Sequence, residues 1–296
     1  RFLADRAYRL SVSTSGCPFG CSCRSGPHQG SRANVHTYKP ARGLFEVPNR
    51  QQRAVLMQRG HIAREGGASL RQIGDISYGL SVAPFAGNEA VEMNHSANAV
   101  HFDGLHARIA LALTMLWGLT LESQRTVQND FKGPRREWSR DTKKKFKAAV
   151  KEVKNKFSDV FGLHIGLLMI EGGLSRLLCN EKKRDKLLKA FVPKLERRNA
   201  VRKCLEQHSL VVSVLSASRP EEVEGVNSIG TIKEEITVPF GDTLATLWEE
   251  LDWGYYVHEV VEHTQYQIEM YGSIGNMSTE SSENYNQIMK KILNAQ

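Results

Sequence analysis

Between Asp141 and Phe157 the chain has little choice of conformation. Phe146, Val150, Val153 and Phe157 recur at spacings of four, three and four, which places them on one face of an α-helix. Lys143, Lys144, Lys145, Lys147, Lys151, Lys154 and Lys156 occupy much of the rest. One face of such a helix packs on a core, and the other presents ammonium groups.

Charge is sorted into blocks around that helix. Residues 1–64 hold eleven Lys/Arg against two acids, 65–131 three against seven, 132–203 twenty-two against eight, and 204–296 four against fifteen. Clustered cations create a field that scattered ones do not, and this sorting points to a polyanionic partner. Solvated helices also carry many charges, so the two readings stand side by side. A chain of 296 residues, 41% of them hydrophobic, can bury one or two cores. Its longest uncharged apolar run, Ile109 to Leu121, falls short of the roughly 20 residues that a bilayer span needs, so no span is expected. Five cysteines, an odd number, make no disulfide framework and point to a reducing compartment.

The first residue is Arg, which suggests processing or truncation. Residues 1–64 are rich in Arg and Ser with only Asp5 and Glu46 as acids, a composition shared by organellar import sequences and by basic arms that order against RNA. From Ser11 to Pro48, Gly, Pro and Ser are frequent and neither a period of 2 nor one of 3.6 holds, so an extended arm without its own core is expected. Cys17, Cys21 and Cys23, with His28 and His36 downstream, read either as part of a metal site or as free thiols in that arm.

Helical patterns resume at Ser69. Asn88–Asp103 and Leu105–Gln128 read as two helices separated by Gly104. After Phe157 the period changes. Residues 161–170 and Ser209–Ser216 are short apolar runs that fit buried strands, although a short apolar run alone does not exclude a helix. Ser228–Val238 reads as a further strand. Asp242 is expected to cap a long helix reaching about Tyr271, and Ser281–Leu293 to close the chain with another. His258 and His263 lie five apart on that helical pattern, and Glu92 and His95 can pair across one turn.

In this order the segments resemble the iron/manganese superoxide dismutase family. Ser69–Ile73 followed by Phe85–Ser96 is similar to the family helix that leads to an Asn-His-Ser/Thr ligand motif, here Asn94-His95-Ser96. Lys144–Gly162 resembles the helix with spaced Phe residues, and Leu210–Pro220 the second strand. Glu259-Val260-Val261-Glu262-His263, followed by Tyr266, is similar to the Asp-Val-Trp-Glu-His ligand motif. The resemblance covers roughly residues 65–285. It implies an α+β fold: a basic extended N-terminal arm over 1–64, a helical half over 65–158, and an α+β half over 159–296. In the last, a small antiparallel sheet is flanked by helices, and a basic helical insertion, 172–207, separates two strands.

The same resemblance implies ligand positions at His95, Glu259 and His263. For the family's first-helix histidine, Arg50 to Glu65 offer only His61, in no recognisable motif; Glu259 stands for Asp and Val261 for Trp. The set is therefore expected to be vestigial, with no bound Fe or Mn, no cofactor and no enzymatic turnover. In the insertion, Leu187, Leu188, Phe191, Leu195 and Val201 are expected on one side of helices broken near Pro193, with eleven Lys/Arg against four acids. The function implied is that of a non-catalytic structural subunit of the mitochondrial ribosomal small subunit, in the matrix. Its partners would be rRNA and other ribosomal proteins, a second superoxide-dismutase-like subunit among them. RNA contacts through backbone and shape are expected from Arg135, Arg136, Lys143, Lys144, Lys145, Lys182, Lys183, Arg184, Arg197 and Arg198. An active mitochondrial Fe/Mn dismutase and an accessory subunit of a respiratory complex are the alternatives.

Overall fold

A computed structural model describes residues 2–3, 50–69, 72–73, 100–101, 104–125, 131–133, 135–162, 173–251 and 255–277. Two compact units divide the chain: residues 1–103 with 253–258, and residues 104–252 with 259–296. In the first, residues Arg50–Glu65 form helix α1, so the last part of the expected arm is helical. Phe2–Leu3 (β1) pairs in parallel with Val100–His101 (β2), two residues on each side.

The second unit is built around α2 (Gly104–Gln124). Leu111, Met115, Leu116 and Leu119 are fully buried there. Helices α3 (Arg140–Phe161), α4 (Gly173–Leu178), α5 (Glu181–Phe191) and α6 (Leu195–Ser216) all pack against it. By length and composition α2 could cross a membrane, but 67% of its most apolar window is buried inside the protein, as befits a core helix.

Local chemistry sets the bounds of the lysine helix. Ser139 caps the N-terminus of α3, its Oγ accepting from the Thr142 amide at 3.0 Å, and Gly162 ends it with a left-handed φ of 64°. Phe146, Ala149, Val153 and Phe157 form its buried face. At α5 the cap is Asn180, whose Oδ1 accepts from the Lys183 amide at 3.2 Å. The chain breaks at 192–194, where Pro193 offers no N–H to continue a helix. Leu187, Leu188, Phe191 and Val201 are buried as expected, whereas Leu195 is 71% exposed.

The expected α+β architecture is corrected to a helical one. Among the described residues the only extended pairing is between β1 and β2, and no antiparallel sheet forms. Ser209–Ser216, read as a strand, is the last two turns of α6. Its buried residues Val211, Val214 and Leu215 continue the spacing begun by Val201, Cys204, Leu205 and His208. The serines on it are satisfied within the helix, Ser213 Oγ donating to the Ser209 carbonyl at 3.0 Å and Ser216 Oγ to the Val212 carbonyl at 2.7 Å. Packing of a buried stripe has overridden β propensity.

Ser228–Val238 is not a strand either. Ser228 caps a 3₁₀ turn (Ile229–Thr231), one π-helical turn follows (Lys233–Thr237), and α7 (Val238–Leu247) continues from it. The wide turn is held from outside: the Lys233 amide donates to Gln265 Oε1 at 2.9 Å, and Thr237 Oγ1 to the Val261 carbonyl at 2.7 Å. Asp242 lies inside α7 rather than at a cap. The long helix expected from it is two, because α7 stops at Leu247 and α8 spans Tyr255–Tyr271. Residues 163–170, which hold most of the first expected strand, the expected helix before Val100, and Ser281–Leu293 lie outside the described residues.

Candidate nucleic-acid interface and buried charge node

The outward face of α3 carries Lys143, Lys144, Lys145, Lys147, Lys151 and Lys156, all exposed, with Lys154 half-buried. Lys144 lies 3.8 Å from Asp141, an exposed i,i+3 pair worth little in water. On α5, Lys182, Lys186 and Lys189 are exposed and Lys183 is half-buried. Ammonium groups of this face stand over rings: Lys183 and Lys186 place Nζ 5.8 and 5.5 Å from the Phe161 centroid, and Lys156 places it 5.3 Å from that of Phe191.

Several arginines expected beside these lysines turn inward instead. Arg184 is buried at 8% exposure, and its Nη1 lies 3.2 Å from Glu206 Oε1. Arg198 Nε donates to the Val192 carbonyl at 2.8 Å, which closes the end of α5. The Arg135 guanidinium lies 4.4 Å over the Trp117 ring, and its amide donates to the Glu250 carbonyl at 2.8 Å. Arg136 lies in the turn 135–137, its side chain outside the described set.

Arg197 joins a node that sequence reasoning missed. Glu122 of α2 has a side chain only 1% exposed, and four donors converge on it. Arg197 holds both oxygens, Nη2 to Oε1 at 2.5 Å and Nε to Oε2 at 3.1 Å. Trp248 Nε1 donates to Oε1 at 2.9 Å, and Arg125 Nε lies 3.2 Å from it. Arg125 also reaches Glu250 at 3.2 Å, and Arg197 Nη2 donates to the Leu247 carbonyl at 2.8 Å. The hydrogen bond to Glu122 holds the Arg197 guanidinium even further above the neutral range. A cavity of about 410 Å³ opens beside the node, and its lining includes Arg125, Lys132 and Lys194 together with Glu249 and Glu250. Its mixed charge does not make it an anion trap.

Two further polar groups lie in the helical core. His208 is fully buried, and burial pushes its imidazole down to about 4, so the ring is neutral at physiological pH. Its Nδ1 is 3.7 Å from Cys179 Sγ, whose thiol burial pushes up and keeps protonated. On α8, His258, Glu259, Glu262 and His263 are all buried, at 4%, 0%, 6% and 0% exposure. Burial raises the Glu262 carboxyl, opposed by Lys233, whose Nζ lies 3.0 Å away. His95 and the cysteines Cys17, Cys21 and Cys23 lie outside the described residues.

Among the described residues, then, helices carry an outward lysine face on α3 and α5 and two buried histidines on α8. The family model described as the Recombination-activation protein 1 (RAG1) ZnH2 domain matches residues 101–272, well over half of the chain. The chain belongs to that family. No curated protein matches it.

This match overturns the resemblance to iron/manganese superoxide dismutases. The motifs behind it are short, and Leu210–Ser216, its second strand, is helical. The role as a mitochondrial ribosomal small-subunit protein, together with its rRNA-bound, pseudoenzyme description, rested on that resemblance and is withdrawn with it. Neither an Fe/Mn dismutase nor a respiratory accessory subunit gains support.

Proposed function

We propose that the chain is a DNA-facing, zinc-holding part of a recombination-activation-type protein. The observation that carries this reading is that the family match encloses α3 and α5, whose outward faces are lined with lysine. A phosphate backbone would use such a face directly, since each ammonium near a phosphate releases condensed counterions.

The family's name speaks of zinc with two histidines, and His258 and His263 are the pair on α8 that would supply them. Five residues along an α-helix are about 140° of rotation and about 7.5 Å of rise, so the two imidazoles do not close a site by themselves. Among the described residues no cluster of three or more His, Cys, Asp or Glu forms. The buried imidazoles fit as the histidine half of a four-coordinate set completed by other residues. A zinc held that way supplies folding free energy as a cross-link.

Both halves are open to test on the full chain. Elemental analysis should find close to one zinc per chain, lowered by His263→Asn. Anisotropy titrations with duplex DNA should show log K falling with log salt by about 0.9 per phosphate neutralised. Zinc-free protein of full stability would sink the metal reading, and salt-independent or absent DNA binding would sink the other.

A further inference from the structure

Phe161, the last residue of α3, sits where the core face meets the lysine face. Its half-buried ring lies 6.0 Å from that of buried Phe157, which stacks on Phe191 at 4.2 Å. The ring is thus backed by an aromatic stack. Lys154, seven residues earlier, is two turns back on nearly the same line of the helix, with Lys147 a further two turns behind. From α5, Lys183 and Lys186 reach over the ring at 5.8 and 5.5 Å. The carboxylates of α5 are directed to arginines: Asp185 lies 2.6 Å from Arg202, and Glu181 4.0 Å from Arg184. Asp159 of α3 is about 200° round the helix from Phe161.

Resting on the DNA reading above, we infer that Phe161 is a stacking platform for one unpaired base of a DNA strand. Lys154, Lys183 and Lys186 meet the phosphates on either side. An exposed ammonium–ring interaction at these separations is weaker than stacking of a base on an aromatic ring, so a base displaces the ammoniums and frees them for phosphate. Bases in a duplex are already stacked on one another, so the ring adds nothing there. The inference therefore concerns a difference between single and double strands, which charge alone does not produce.

The test uses full-length protein, an oligo-dT strand and a duplex of equal length. Phe161→Leu keeps an apolar group and removes the π-face; it should weaken oligo-dT binding about tenfold and leave duplex binding within twofold. Phe161→Trp should retain oligo-dT binding and show tryptophan quenching, beyond that of the wild type, when the strand is added. Equal losses on both probes from Phe161→Leu, no loss on oligo-dT, or an unquenched Phe161→Trp would each overturn the platform while leaving the DNA reading intact. Failure of the wild type to bind either probe would overturn the DNA reading and the platform with it.

Discussion

Arg197 and Lys147 belong to the same cation-rich stretch, yet they use their charges in opposite directions. Arg197 grips both oxygens of a carboxylate that is 1% exposed, while Lys147 stands on the solvent side of α3. Arg135, Arg184 and Arg198 likewise turn toward the protein, each bonded to or stacked on a group of a neighbouring element. A planar, weakly hydrated guanidinium can satisfy a buried carboxylate and a carbonyl at once, whereas an ammonium loses more hydration when buried. Block charge therefore overstates the field this surface offers, because part of that charge is neutralised inside.

The sharpest way to break this comparison is to remove the carboxylate. Glu122→Ala leaves Arg197 without its bidentate partner and Trp248 Nε1 without its acceptor, and takes one of the two carboxylates from Arg125, which keeps Glu250. Removing one partner of a buried pair costs about 3–5 kcal/mol. Urea unfolding should show that loss with an unchanged m-value, while the folded fraction keeps its DNA affinity. A loss under about 1 kcal/mol would mean that apolar packing alone joins α2 to α6 and α7.

Next in size is an acid effect from the core. His208 titrates at about 4 in the folded protein against an ordinary value of 6.5. The stability from keeping the ring neutral is complete above pH 6.5 and is lost as pH falls to about 4, because the unfolded chain takes up a proton that the native state refuses. That amounts to about 3 kcal/mol. Glu262 works with the opposite sign: burial raises its folded value, so acidification recovers part of the loss. Urea midpoints between pH 7 and 4 should fall steeply in the wild type and less steeply in His208→Leu. Parallel curves would show that His208 does not carry the effect.

A third, smaller effect isolates the node's geometry from its charge. A Cβ on Gly118 would overlap the Trp248 ring, so Gly118→Ala forces the indole to move. Overpacking of this kind costs about 1–3 kcal/mol. A change in Trp248 fluorescence should accompany the loss; unaltered fluorescence and stability would mean the ring has room to yield.

How much of this can be read from sequence differs from element to element. Helix α3 is legible because its apolar period runs unbroken for about three turns, from Phe146 to Phe157, and Pro193 marks the break between α5 and α6. The end of α6 misleads when the window Ser209–Ser216 is taken alone; begun at Val201, the same residues show a helical period. Arg184 carries a usable signal, since it stands three, four and seven residues before the buried Leu187, Leu188 and Phe191, on their face of α5. Glu122 carries half of one. A carboxylate at the end of an apolar helix asks for a partner, but nothing local names Arg197 or Trp248, 75 and 126 residues away. Likewise His258 and His263 are visible as a pair, yet the short ligand-like motifs around His95, Glu259 and His263 point to the wrong family.

The smallest stability effect is expected on the lysine face, and it completes the comparison. Lys143, Lys144 and Lys145 are exposed, and exposed substitutions change stability by about 0.5 kcal/mol or less. Replacing all three with Gln should therefore leave the urea midpoint nearly unmoved. Duplex DNA affinity should fall, and the slope of log K against log salt should shrink by about 0.9 for each phosphate no longer neutralised. Arg184→Gln, in the same block of charge, should do the reverse, destabilising the helices because the shorter side chain leaves part of the buried place of Arg184 unfilled, and leaving the salt slope unchanged. Arginine inside and lysine outside are different instruments only if those two results separate. Equal salt slopes for the two variants would put Arg184 on the DNA and dissolve the distinction.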